Sequence, residues 1–147
     1  MLSKTSFFHV MLKAIIFDID GTLAIKGDRS PYDWSKVDLD SPNKAVVLMN
    51  QTLYEDDLHI IILSGRDGSC RDKTIGWLAK NHIEYDELHM REAGNTEKDT
   101  VVKKRMYDDN INGKYDVLCV FDDRPCMVRM WREMGLFCFD CGSGIEF

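Results

Sequence analysis

Lys13-Ala14-Ile15-Ile16-Phe17-Asp18-Ile19-Asp20-Gly21-Thr22-Leu23 is the stretch from which the fold of this chain is read. Ala14 to Phe17 are apolar without alternation, as in a short strand buried on both faces. Asp18 falls where such a strand ends, and Asp20 stands two residues on. Gly21-Thr22 then supplies a sharp departure and a hydroxyl. Carboxylates at i and i+2 of an extended backbone point the same way. Both would therefore aim at one ligand outside the carboxyl edge of a sheet, where open α/β folds bind substrates. Two anions so close call for a cation between them, and a hard, oxygen-seeking ion such as Mg²⁺ suits the donors.

The chain has 147 residues, 44% hydrophobic and 30% charged, which suits one soluble globular domain with a single sizeable core. No apolar run approaches the ~20 residues that span a bilayer, so no membrane partner is expected. The opening MLSKTSFFHV lacks the cleavage pattern of a signal peptide. Met11-Leu12-Lys13 reads like a second beginning. Residues 1–10 are therefore expected to be an extension and 11–147 the domain. A net charge of −6 argues against a broad basic face coating long nucleic acid, but leaves room for a few local cations gripping a strand end. The five cysteines are scattered. Cys138-x-x-Cys141 lacks the second pair that a zinc site needs, so they read as thiols in a reducing cytoplasm.

Strand and helix patterns alternate to the end. Ala24 to Asp40 is a polar loop, too short for a separate cap domain. Ser41-Pro42 opens a helix to about Glu55, with Ala45, Met49 and Leu53 expected on its inner face. Leu58–Leu63 is a second buried strand, followed by a helix over 69–80 with Ile75, Leu78 and Ala79 inward. Leu88–Met90 is a short strand, and Thr96–Asn110 a helix with Thr96 as N-cap and Asp99 at N3. Val117–Phe121 is the fourth strand, Pro125 opens a helix closed by Gly135, and Leu136–Phe139 is the last strand. Such alternation predicts a central parallel sheet with helices on both faces and a minimal cap.

Three polar clusters follow three of these strands: Asp18-x-Asp20, Ser64-Gly65-Arg66 and Asp122-Asp123-Arg124. A parallel sheet brings all three strand ends to one edge. Lys98 is expected in the first turn of its helix, where the macrodipole disfavours a cation. A residue that breaks a local rule is a candidate for function.

The first cluster resembles the nucleophile motif DxDGT of the haloacid dehalogenase (HAD) superfamily, whose fold is Rossmann-like. The later clusters match that superfamily's remaining motifs. The resemblance implies that Asp18 attacks phosphorus to form an aspartyl-phosphate and that Asp20 donates and later takes a proton. It implies that Ser64, Gly65 and Thr22 meet the phosphate and that Lys98 neutralises it. Mg²⁺ would be held by Asp18, Asp122, Asp123 and the Asp20 carbonyl. FDIDGTL, GDRSPYDW, IILSGRDGS, REAGNTEKDTVVKK and FDDRPCMVRMWREMG, in that order, look like the phosphatase domain of phage polynucleotide kinase/3′-phosphatases. In that family the arginines matching Arg29 and Arg66 recognise substrate phosphate near the strand end.

These expectations combine into a Mg²⁺-dependent phosphatase acting on 3′-phosphorylated DNA or RNA ends in the cytoplasm, or a host's cytoplasm if the source is viral. The sequence contains no G-x-x-x-x-G-K-[ST], so a stand-alone phosphatase beside a separate 5′-kinase and ligase is expected. Two alternatives stay open: a HAD phosphatase of a small molecule, such as a nucleotide or sugar phosphate, and a non-enzymatic phosphate-binding module. Receiver-like modules of the latter kind need no proton donor at the position of Asp20.

Overall fold

In the computed structural model, which describes residues 10–144, the apolar runs become the strands of one sheet. The strands are β1 (Leu12–Phe17), β2 (Ala24–Ile25), β3 (Ser41–Pro42), β4 (His59–Asp67), β5 (Glu87–Arg91), β6 (Tyr115–Asp122) and β7 (Cys138–Asp140). The helices are α1 (Lys44–Glu55), α2 (Arg71–Lys80), α3 (Asp99–Asn110) and α4 (Pro125–Glu133). Five strands form a sheet in the order β5-β4-β1-β6-β7, every pair parallel. The expected extension, residues 1–10, lies outside the described residues except for Val10. No described helix is long and apolar enough to cross a membrane.

The central strand is buried on both faces, as its unalternating sequence requires. Ile15 and Phe17 join Ile60, Ile62 and Phe121 on one face, against Val46 and Val47 of α1 and Trp77 and Leu78 of α2. Ala14 and Ile16 join Ile61, Leu63 and Val120 on the other, against Met127, Val128 and Trp131 of α4. The chain thus winds one way from β1 to β4 and β5, then returns to β1's other flank through β6 and β7. The crevice at the end of β1 lies where that winding reverses, the place at which open α/β sheets bind ligands.

Several boundaries differ from the sequence reading. Ser41 and Pro42 do not open a helix; they pair antiparallel with Ile25 and Ala24, making a two-stranded flap. Asn43 N donates to Leu23 O at 2.8 Å, so the chain is still extended there and α1 begins at Lys44. With the 3₁₀ turn Trp34–Leu39, this flap is the minimal cap.

The inward stripe of α1 is Val46, Val47 and Asn50, while Ala45 turns outward with Met49, 43% exposed, and Leu48, 61% exposed. The helix carries two apolar stripes, and a distant partner chooses between them. Asn50 donates to Glu84 O and accepts from Glu84 N, both at 2.9 Å, which fixes the rotation. In α2 the inward residues are Thr74, Trp77 and Leu78, whereas Ile75 and Ala79 are exposed. There Trp77 Nε1 donates to Asp40 O at 2.7 Å and sets the face. α3 begins at Asp99 behind Lys98 as N-cap, two residues later than the expected N-cap Thr96.

The choice between stripes is measurable by urea unfolding. Val47→Ala should cost roughly 1.5–3 kcal/mol, from two buried methyl groups and the cavity they leave. Met49→Ala should stay within about 0.5 kcal/mol, as a surface change.

Candidate active site

β1 and β6 end side by side, and Asp18 N donates to Phe121 O at 2.9 Å. That register sets the carboxylates of Asp18, Asp122 and Asp123 in one cluster, with an oxygen of each within 4.8 Å of the others. The cation among them is Lys103, from the second turn of α3. Its Nζ donates to Asp18 Oδ1 at 2.7 Å and to Asp122 Oδ2 at 3.0 Å. Asp122 Oδ2 also accepts from Trp131 Nε1 at 3.1 Å, and Asp122 Oδ1 accepts from the N–H of Asp123 at 2.9 Å. Both oxygens of Asp122 thus accept hydrogen bonds from the protein. Thr22 Oγ1 is shared between Asp18 Oδ2 at 3.4 Å and Asp123 Oδ1 at 3.2 Å. Thr22 is fully buried, so it aligns these carboxylates instead of facing the open site.

Lys98, the lysine expected here, is exposed and supplies only backbone to the start of α3. The helix starts at Asp99, so the residue facing the strand ends lies one turn deeper than a Thr96 start implied. Lys103 shares the inner side of α3 with buried Val102. A lysine on a stripe otherwise facing the core was the signal in the sequence.

Electrostatics follow from burial. Burial pushes the Asp18 carboxyl well above the usual range; Lys103 opposes this, while Asp122 and Asp123 add to it. Burial and the Asp122 charge likewise raise Asp123. Burial would lower the Lys103 ammonium, but Asp122 and Asp18 outweigh it and hold it well above its ordinary value.

A second cluster holds Asp20. In β4, Ser64 pairs with Met90 but Asp67 with Arg91, so Gly65 and Arg66 bulge from the ladder. The fully buried Arg66 donates from Nη2 to Asp20 Oδ1 at 2.8 Å and from Nε to both Asp20 oxygens at 3.1 Å. Arg29 Nη2 reaches Asp20 Oδ1 at 3.1 Å. Asp40, unremarked in the sequence, closes the ring. It takes Arg29 through Nε and Nη2, both at 2.7 Å, and Arg66 Nη2 at 3.0 Å. Both guanidiniums therefore turn inward, in place of the expected contacts with a strand end. A bidentate fork on a buried carboxylate leaves little of either for a substrate. The Asp20 side chain stays 37% exposed and faces the opening.

Asp99 joins the surrounding loops, bonding to Arg91 Nη2 and Arg124 Nη1. Arg91 Nε in turn donates to Gly65 O at 2.9 Å, so the first turn of α3 is tied to the end of β4. A Cβ on Gly65 would stand 3.1 Å from Asp99 Oδ1. Ser64 is buried beneath the site, and its hydroxyl accepts the Arg66 N–H at 3.1 Å. At Gly21 φ is +81°, and a Cβ would stand 2.0 Å from Asp123 Oδ2, so only glycine fits.

Asp18, Asp122 and Asp123 fit a hard divalent ion. Three carboxyls face one ammonium, so their full ionisation, which burial resists, would leave two negative charges for a divalent cation to balance. By contrast, Asp20 and Asp40 are balanced by Arg29 and Arg66. The first cluster can supply a recessed nucleophile and the second a positioned carboxyl for proton transfer.

Residues 12–145 match the family described as the polynucleotide kinase PNKP phosphatase domain. A protein of Autographa californica nuclear polyhedrosis virus, provisionally named a bifunctional polynucleotide kinase/RNA ligase, is 38% identical over 125 residues, 83% of this chain and 18% of that protein. A chain of the solved Pnkp1/Rnl/Hen1 RNA repair complex is 37% identical with a TM-score of 0.89, over 98% of this chain and 48% of its own. The chain thus spans about half the length of that solved relative. The D,D-heptose 1,7-bisphosphate phosphatase of B. bronchiseptica, solved with magnesium and phosphate, shares the fold at 14% identity and a TM-score of 0.61, over 88% of this chain and 80% of its own.

Lys103→Ala strips the buried carboxylates of their ammonium and should cost about 3–5 kcal/mol, whereas Lys98→Ala should be nearly silent. In EDTA, ionising Asp18 opposes folding, because its folded pKa lies above its unfolded value. That stability is present below the unfolded value near 3.9 and is lost as pH rises through the raised one. Asp18→Asn should therefore raise the Tm at neutral pH and flatten its decline from acid to neutral, read by thermal melts across pH.

Proposed function

The chain belongs to the family of polynucleotide kinase phosphatase domains and is a HAD-type phosphatase, and from that premise we propose that it removes 3′-terminal phosphates from polynucleotides by way of an aspartyl-phosphate. The observation that carries the reading is the separation of two carboxylates two residues apart. Asp18 lies on the buried ammonium of Lys103, and Asp20 stands at the opening in a double-arginine clamp.

In the first step an Asp18 carboxylate oxygen forms a bond to phosphorus as the bond to the 3′-oxygen breaks. The proton for that leaving oxygen passes through Asp20, the one of the two carboxyls that meets solvent. In the second step Asp20 takes a proton from water as the water oxygen attacks phosphorus, releasing phosphate and restoring Asp18. Asp18 is oriented by Lys103 and Thr22; Asp20 is oriented by Arg66 and Arg29, themselves fixed by Asp40. Ser64 and the Gly65 backbone border the place of the phosphoryl oxygens. Mg²⁺ would be held by Asp18, Asp122, Asp123 and the Asp20 carbonyl, and would neutralise charge on the phosphoryl group.

The small flap supports a polymeric substrate, because it leaves Asp20 partly open instead of enclosing a small molecule. The names of the 37–38% identical relatives support nucleic-acid ends as the substrate. On this reading the domain restores 3′-OH ends of DNA or RNA for repair, beside a 5′-kinase and a ligase, in the cytoplasm.

The test is phosphate release with Mg²⁺ from matched oligonucleotides bearing a 3′- or 5′-phosphate, beside the free 3′-mononucleotide. Turnover should favour the 3′-phosphorylated oligomer, stop in EDTA and vanish in Asp18→Asn. Asp20→Asn should lose roughly 100- to 10,000-fold. Arg29→Ala and Arg66→Ala should slow oligonucleotide and aryl phosphate alike, since both residues act through Asp20. Equal use of the mononucleotide would favour a small-molecule phosphatase.

A further inference from the structure

Four phenylalanine rings run across the sheet from beneath the nucleophile to its open edge. Phe17, just before Asp18, stacks on Phe121, just before Asp122, with centroids 4.6 Å apart and planes 3° off parallel. Phe121 stacks on Phe139 of β7 at 4.9 Å and 22°, and Phe137 meets Phe139 edge-on at 5.0 Å. The first two rings are core. The last two are 47% and 64% exposed, because α4 covers only the other face of β7. Asp140 pairs with Asp122 at the carboxyl edge, so Phe139 lies one residue below the rim of the site and Phe137 three.

We propose that Phe139 and Phe137 form a stacking step for a nucleobase close to the 3′ end of the strand being dephosphorylated. This rests on the polynucleotide reading above. Strands lie ~4.8 Å apart, so β7 stands about 10 Å from β1. That distance places the stacked base within about three nucleotides of the reacting end, at ~3.4 Å per stacked nucleotide.

Charge gives the reason for stacking. Phosphate contacts normally dominate nucleic-acid affinity. Here Arg29, Arg66 and Lys103 are spent on internal carboxylates, and the chain carries a net charge of −6. Contact with base faces adds to what the surface cations supply, and it tolerates any sequence. Arg132 Nη2 donates to Cys138 O at 3.1 Å, blocking part of the free edge of β7. A nucleobase on the ring faces fits this surface better than another strand on the backbone edge.

The experiment measures kcat/KM for wild type, Phe137→Ala and Phe139→Leu on a 3′-phosphorylated oligonucleotide. Matched oligomers lack the base at one of the last three positions. Thermal melts check folding; Phe137, the more exposed ring, is the safer deletion. Each variant should lose about 5- to 100-fold on the intact oligomer, and the loss should disappear on the oligomer abasic at the stacked position. Unchanged rates on the intact oligomer overturn the inference. So does an equal loss on all three abasic oligomers, which marks a structural role. Self-association of wild type abolished by Phe137→Ala, with rates intact, assigns the face to a protein partner and overturns it too. A wild type with no preference for the oligomer over free 3′-mononucleotide overturns the functional reading and this inference together. A preference retained in both variants overturns the inference alone.

Discussion

One buried ammonium organises the centre of this protein. Lys103 Nζ lies between Asp18 and Asp122, and so joins the end of β1, the end of β6 and the second turn of α3. Neither carboxylate could stay ionised at that depth without it, since burial alone favours their neutral forms. The pairing requires α3 to cross the sheet at one height, and the Asp99 bonds to Arg91 and Arg124 anchor its first turn there. A buried ion pair is weak evidence for net stability. Its value here is positional, because it points the Asp18 carboxylate at the opening.

The two clusters at the sheet edge divide the electrostatics. Around Asp18 the negative charge exceeds the positive, which suits a divalent ion and an anionic substrate that shares it. Around Asp20 the charges balance, and two planar guanidiniums fix a carboxylate that still meets solvent. Thr22 and Gly21 join the two sites within four residues. The glycine backbone is required by contact with Asp123, and the threonine hydroxyl by the gap between Asp18 and Asp123.

The flap connects this electrostatics to access. β2 and β3 enclose the 3₁₀ turn ending in Asp40, whose side chain holds both arginines and whose carbonyl receives Trp77. A segment that reads as a polar loop is therefore pinned to the core by one residue. It orients Asp20 without roofing the site, so reaction geometry and openness to a long substrate coexist.

The sequence by itself determined the sheet and the order of its chemistry. Short unalternating apolar runs such as Ala14–Phe17 and Ile60–Leu63, closed by polar turn residues, read as strands buried on both faces. Their polar sequels had to gather at one edge once the strands ran parallel. Asp18, Asp122 and Asp123 were legible on that ground, because a strand end fixes position to within a residue. Helix rotation and long side-chain reach were not legible. Asn50 and Trp77 chose the buried faces of α1 and α2 through partners more than thirty residues away. Lys103 rather than Lys98 met the carboxylates: the N-cap of α3 is Lys98, two residues past Thr96, and the shift turns a different side chain inward. Arg29 and Arg66 carried the right chemistry for a phosphate, yet Asp40 claimed them. A charge's partner is set by distance in space, and only the tertiary structure supplies that distance.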